Sequence, residues 1–303
     1  MKLTDALKEF LLEIEIKNYT KRTIKTYKNN NLLFITYLKN EFNIEEIEDV
    51  TQLNIKQYVR FLMKQGRKST YINSILKNIR SFMGYVADEG YINKNIALNV
   101  KWQKEEKVII QTFNDDEVYK MLSAYNYQDY LNARNKTIMA ILFDTGIRNL
   151  ELCQLINADI RDSVIRIFGK GNKERYVPIS PTLKKYFLKY ERIKEFYFKN
   201  KIIKYDNYFL SNTGKPLTKE AVERIVKLAG EKADIRKDIR CSPHTCRHYF
   251  AQAQLRNGLD VYSLSRLLGH ENINITKRYL QSLQDENIIK LSVKTSPLMN
   301  LKK

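Results

Sequence analysis

The chain has 303 residues, 43% of them hydrophobic, which is enough for two folded domains with cores of their own. Fifty-three Lys and Arg against 34 Asp and Glu leave a formal charge of +19, so a polyanion, nucleic acid first, is the expected partner. No stretch approaches the roughly eighteen apolar residues of a membrane span. Cys153, Cys241 and Cys246 lack the spacing of a disulfide framework, and Met1 to Asp5 opens an amphipathic helix rather than a secretory leader. The expectation is a cytoplasmic protein with no membrane contact and no disulfide.

From residue 1 to about 100 the apolar residues fall at helical spacing, in Leu3 to Ile16, Thr20 to Leu38, Ile55 to Met63 and Tyr71 to Val86, and nothing alternates like a strand. Lys21, Arg22 and Lys25 sit near one helix start, and Lys64, Arg67 and Lys68 at the turn before another; these six are the candidate DNA contacts. Tyr19, Tyr27, Tyr58 and Tyr71 are interleaved with them and suit a surface lying along a phosphate backbone. Residues 101–112 lose the periodicity and gather Lys101, Lys104, Glu105, Glu106 and Lys107, as a polar linker does. Beyond it, helices are expected at Asp115 to Tyr125 and Ala133 to Phe143, the second stopping at Thr145-Gly146 with Arg148 just past the glycine. Val164 to Phe168 and Arg175 to Ile179 read as two strands of a hairpin whose turn, Gly169-Lys170-Gly171-Asn172, carries Lys170 at its tip. Helices return from Thr182.

All three histidines lie between Cys241 and Leu280. Ser242 and Pro243 read as N-cap and first residue of a helix that puts His244 and Arg247 on one face, two cationic donors pointing the same way. Asp260 caps a further helix that ends at Leu268, with Gly269 as the left-handed stop, His270 after it, and Tyr279 nine residues on. Cleaving a phosphodiester without a metal needs a nucleophile, donors for the charge growing on the non-bridging oxygens, and an acid for the departing oxygen. Tyr279 fits the nucleophile; Arg148, Arg247, His244 and His270 fit the phosphate donors; Lys170 fits the acid, with Lys173 as its rival. Arginine suits the phosphate because its fork of donors spans two oxygens, whereas lysine is a point donor that can release a proton.

These residues resemble the tyrosine recombinase (phage integrase) family over nearly the whole chain. Thr145-Gly146-Ile147-Arg148 with Glu151-Leu152 resembles its first arginine box, and Gly169 to Arg175 its β-hairpin lysine. His244, Arg247 and His248 resemble its His-x-x-Arg-His box, and Leu267-Leu268-Gly269-His270 with Tyr279 its histidine and nucleophile. Thr23, Tyr27, Phe34 and Tyr37 resemble the core-binding domain of compact, Xer-like two-domain members. Cys246 and the pair Lys277-Arg278 depart from the family's usual residues without removing a catalytic group.

The resemblance implies a mainly α fold: an all-helical, SAM-like core-binding DNA clamp over residues 1–100, a linker over 101–112, and a mostly helical catalytic domain with a small antiparallel β-sheet over 113–303, ending in a tail. It implies a 3′-phosphotyrosine intermediate, a freed 5′-hydroxyl, no metal and no other cofactor. The implied partners are double-stranded DNA and further copies of the chain, a tetramer at synapsis. Mobile-element integration or excision, chromosome dimer resolution and inversion stay open, as do the target sequence and accessory proteins.

Other readings exist for the same residues. Tyr279 can be helix filler, Arg148 a cap for the preceding helix, and Arg247 the partner of a carboxylate such as Asp260. His248 reads better as a buried hydrogen-bonding residue than as a phosphate ligand. Cys241, His244, Cys246 and His248 have zinc-ligand types, although one helix cannot easily surround a tetrahedral ion. A DNA-binding accessory protein of the same fold without catalysis is the alternative function, and a type IB topoisomerase shares the chemistry.

Overall fold

The computed structural model describes residues 1–106, 110–169, 174–282, 289, 292 and 293. Lys170, Lys173, part of the linker and most of the tail lie outside the described residues. The chain forms two compact units, Met1–Lys107 and Val108–Lys303.

In the first unit four helices, α1 (Leu3–Ile16), α2 (Lys21–Phe42), α3 (Gln52–Lys64) and α4 (Ser69–Asp88), enclose one apolar core. Each of the last three exceeds its expected span, and at α2 and α3 caps, not the apolar stripe, set helix ends. Thr20 accepts from the Thr23 amide at the start of α2, Thr51 and Asn54 form a reciprocal capping box on α3, and Asn43 stops α2 at φ 54°. Phe10, Phe34, Leu38, Ile55, Ile79 and Phe82 fill the centre. Tyr58, expected on the DNA-facing surface, is instead a core residue only 2% exposed, packed between Phe34 and Tyr37. Tyr27 turns its ring edge to Phe10, so of the four expected surface tyrosines Tyr19 and Tyr71 are the exposed ones. Lys21, Arg22, Lys25, Lys64, Arg67 and Lys68 are all exposed.

The second unit runs α5 (Asp115–Ser123), α6 (Tyr130–Thr145), α7 (Asn149–Gln154), β1 (Val164–Phe168), β2 (Glu174–Pro178), α8 (Pro181–Phe198), α9 (Lys219–Lys232), α10 (Pro243–Arg256), α11 (Val261–Leu268) and α12 (Ile273–Lys277). Helix α6 is its axle: α5, α8, α9 and α10 all pack on it, and it buries residues on nearly every side. Asp129 caps it one turn before its expected start, and Gly146 ends it in the left-handed conformation. The strands pair antiparallel from Val164↔Pro178 to Phe168↔Glu174, one residue earlier in β2 than expected, with Ile165, Ile167 and Val177 turned to the core. A separate small cluster joins Phe250, Ala251 and Leu255 of α10 to Leu264 and Leu268 of α11 and to Tyr279. Burying each of these leucines contributes roughly 2 kcal/mol, which fixes α11 against α10.

Among the described residues no helix is long and apolar enough to cross a membrane. Cys153, Cys241 and Cys246 are free thiols.

Candidate active site

The site is built where helices end. Gly146 closes α6 at φ 59°, a conformation open to glycine at little cost, and a Cβ there would meet Phe250 Cδ1 at 2.5 Å. The chain can therefore turn tightly over α10 and deliver Arg148 at the start of α7. Glu151, one turn on, takes the Arg148 amide on Oε2 at 2.9 Å and the Arg148 guanidinium on Oε1 at 2.8 Å. The same carboxylate receives Arg175 of β2 through both terminal nitrogens, at 2.8 and 2.6 Å. Burial alone raises the Glu151 pKa, but Arg175 and then Arg148 outweigh it and hold the carboxyl below its ordinary range. Arg175 also donates to the Leu267 carbonyl, and Arg148 to the Gly269 carbonyl, so the end of α11 is tied to both arginines. Neither arginine caps the preceding helix. Arg148 keeps 40% of its side chain exposed, which leaves it open to an incoming anion.

Arg247 lies deeper. Ser242 caps α10 through the Thr245 amide, Pro243 takes the first turn, and Arg247 follows on the buried side at 4% exposure. It donates to the Gly146 carbonyl at 2.6 Å and the Leu268 carbonyl at 2.7 Å, and not to Asp260. Its second terminal nitrogen also reaches His270 Nε2 at 3.0 Å. Burial lowers its pKa to about 10, with Arg148 adding to the effect, so it remains charged at neutral pH. His270 stands directly after the left-handed Gly269, and its Nδ1 lies 2.8 Å from Thr276 Oγ1.

His244 and His248 stack edge to face on α10, ring centroids 4.1 Å apart. His248 Nδ1 lies 2.9 Å from the Tyr279 hydroxyl, which makes it a hydrogen-bonding residue, the role favoured over phosphate ligand. Tyr279 is 3% exposed; burial raises its pKa above 10, with Arg247 and Arg278 opposing, so it is a neutral phenol at neutral pH. Burial also lowers His248 and His270 to about 4, helped by His244 at the first and by Arg247 and Arg148 at the second. His244 is shifted down by burial, Arg247 and Arg240, so the expected cationic donor is a neutral imidazole at neutral pH.

The structure thus gathers Arg148, Arg247 and His270 by hydrogen bonds at the end of α11, and His244 and Tyr279 through His248 by ring contacts and a hydrogen bond, with Arg247 near enough to act electrostatically on both His244 and Tyr279. The placement of Lys170 lies outside the described residues. Arg175, Glu151 and Thr276 join the site without having been picked out for it, whereas His248 stands in the hydrogen-bonding role read for it from the sequence. Arg175 and Glu151 stand inside the quoted boxes, and a buried carboxylate beside two arginines is the signal that finds them. Among the described residues no group of three or more His, Cys, Asp or Glu is disposed to hold a metal ion. What this arrangement can do is bind a phosphate by its arginines and place a phenol beside it.

Residues 111–286 match the phage integrase family. The tyrosine recombinase XerD of Staphylococcus aureus is 31% identical over 277 residues, covering 90% of this chain and 92% of the relative. The fold is shared with the XerH site-specific recombinase bound to palindromic difH substrate in a post-cleavage complex, at TM-score 0.74 and 20% identity over 91% of this chain and 81% of that one. It is shared too with a lambda integrase tetramer bound to a Holliday junction, at TM-score 0.73 and 16% identity over 92% and 77% of the two chains. With the family matched across more than half its length and a relative aligned over nine-tenths of it, the chain belongs to the phage integrase family, the tyrosine recombinases that cleave and rejoin DNA.

Proposed function

We propose that Tyr279 is the nucleophile of this recombinase and that Arg148, Arg247, His244 and His270 hold the scissile phosphate. The observation that carries this is the convergence of Tyr279 and His270 on Arg247: one buried guanidinium touches His270 and lies close enough to Tyr279 to pull its pKa down against burial. The Tyr279 oxygen attacks phosphorus, its proton passes to His248 Nδ1, 2.9 Å away, and the bond from phosphorus to the 5′ oxygen breaks. A 3′-phosphotyrosine and a 5′-hydroxyl result, and a new 5′-hydroxyl reverses the steps to rejoin a strand. Arg148 and Arg247 neutralise the charge growing on the non-bridging oxygens. Lys170 protonates the departing 5′ oxygen, a role that its place between two glycines in the sequence supports.

Duplex DNA is the substrate, supported by the charge of +19 and by the DNA-bound XerH and lambda integrase. The first unit grips it through Lys21, Arg22, Lys25, Lys64, Arg67 and Lys68, all exposed. Four protomers assemble at synapsis, as in the lambda integrase tetramer, in the cytoplasm where the DNA is. The relatives named XerD favour chromosome dimer resolution among the biological roles. To test the chemistry, the target duplex is first selected from a randomised pool and then rebuilt with a nick beside the cleavage point. The chain should form a covalent adduct with the strand end bearing a 3′ phosphate. Attachment to a 5′ end, or binding without any adduct, would overturn the assignment.

A further inference from the structure

His270 is found in the wrong protonation pattern for the task proposed for it. Arg247 meets His270 Nε2 at 3.0 Å, and a guanidinium has donors only, so Nε2 carries the lone pair. With the ring neutral at neutral pH, its one proton therefore sits on Nδ1, where Thr276 Oγ1 accepts it at 2.8 Å. Holding a phosphate oxygen requires the reverse, a proton on Nε2. Full protonation of the ring is opposed by burial and by Arg247, Arg148, Arg175 and His244 around it.

We infer that Thr276 is a positioning residue that lets His270 shift its proton from Nδ1 to Nε2 when the scissile phosphate enters. The inference rests on the proposed role of His270 at the phosphate. A hydroxyl both donates and accepts, so Thr276 serves each state in turn. In the free protein it accepts from Nδ1–H; with phosphate bound it rotates and donates to the bare Nδ1. The N–H bond at Nδ1 breaks and one at Nε2 forms by exchange with water at the half-buried His270 ring, the ring stays neutral, and no net proton is gained or lost. Thr276 is 0% exposed, so water does not reach its side chain to take over the hydroxyl's part. Asn272 caps the short helix α12 that carries it, which holds the hydroxyl facing the ring.

Three histidines give a simple nitrogen-15 spectrum, in which the shift of each ring nitrogen reports whether it carries a proton. Free wild type should show His270 protonated on Nδ1. The complex of Tyr279→Phe with the selected duplex should show it protonated on Nε2. Thr276→Ser should cleave within about threefold of wild type, whereas Thr276→Val, which keeps the shape, should cleave about tenfold slower or worse because one oriented donor is lost. In Thr276→Val the shift to Nε2 on DNA binding should also disappear, and Thr276→Ala repeats the test if valine disturbs folding. A proton on Nε2 in the free protein, or a valine variant that shifts and cleaves normally, would overturn the inference. His270→Ala separates the two readings: normal cleavage by that variant would sink the role of His270 itself, whatever the spectrum of the free protein.

Discussion

Replacing Glu151 with Gln removes a negative charge from between two arginines and leaves the side-chain volume almost unchanged. The carboxylate is 6% exposed and its main partner, Arg175, 11% exposed, with contacts at 2.8 and 2.6 Å. Breaking such a buried pair costs about 3–5 kcal/mol, and because glutamine keeps one acceptor oxygen the lower figure applies. The Arg148 contact adds little, since 40% of that side chain faces solvent. At about 2–4 °C per kcal/mol for a unit of this size, the melting temperature of the second unit should fall by about 6–12 °C at pH 7. The pH dependence gives a sharper check. Because Glu151 titrates below its ordinary 4.5 in the folded state, its stabilisation is present above that pH and is lost as pH falls through the folded value. The gap between wild type and variant, followed by circular dichroism in both units of the full chain, should therefore close in acid. A melting temperature within about 2 °C of wild type at pH 7, or a gap independent of pH, would refute the buried triad.

Arg247→Lys keeps the charge but not the fork that spans the Gly146 and Leu268 carbonyls and His270; cleavage of the selected duplex should slow about a hundredfold or more while binding holds, and a rate within about tenfold would place Arg247 outside the site. His248→Leu deprives the Tyr279 hydroxyl of its 2.9 Å partner, so cleavage should fall about tenfold with part of it restored in His248→Asn, whose amide can still hydrogen-bond; equal rates in all three proteins would show the contact to be idle. Lys170→Ala should cripple cleavage of ordinary DNA yet cut a duplex with sulfur in place of the bridging 5′ oxygen nearly as well as wild type, because a thiolate leaves without a proton. Rescue by sulfur of Lys173→Ala, and not of Lys170→Ala, would transfer the acid role to Lys173.

What the sequence shows of this molecule is what local chemistry decides. Ser242, Pro243, Asp260 and Gly269 mark their helix ends because a cap is a contact between residues three or four apart. Three of the boxes carry Arg148, Arg247, His270 and Tyr279 for the same reason: each is a short run with its own residue pattern. What could not be read is the wiring between boxes. Arg247 reaches the Gly146 carbonyl across 101 positions, and Arg175 the Leu267 carbonyl across 92, contacts that no periodicity encodes. Tyr58 misled because its basic neighbours suggested a surface, whereas the apolar stripe of α3 carries it into the core with Ile55, Val59 and Leu62. The protonation of the three histidines was also hidden, since it depends on burial and on arginines brought in from other elements.

In the function proposed above, Tyr279 forms the bond to DNA. Tyr279→Phe removes one oxygen from a side chain that is otherwise packed among Phe250, Leu264 and Leu268, so the fold and DNA binding should survive. On a denaturing gel of the nicked duplex, wild type should show the covalent adduct and the phenylalanine variant none, while both shift the duplex equally on a native gel. An adduct that persists in Tyr279→Phe would mean that another residue attacks, with Tyr249 and Tyr262 next to be replaced, and the site described around Arg247 would not be the one that cuts.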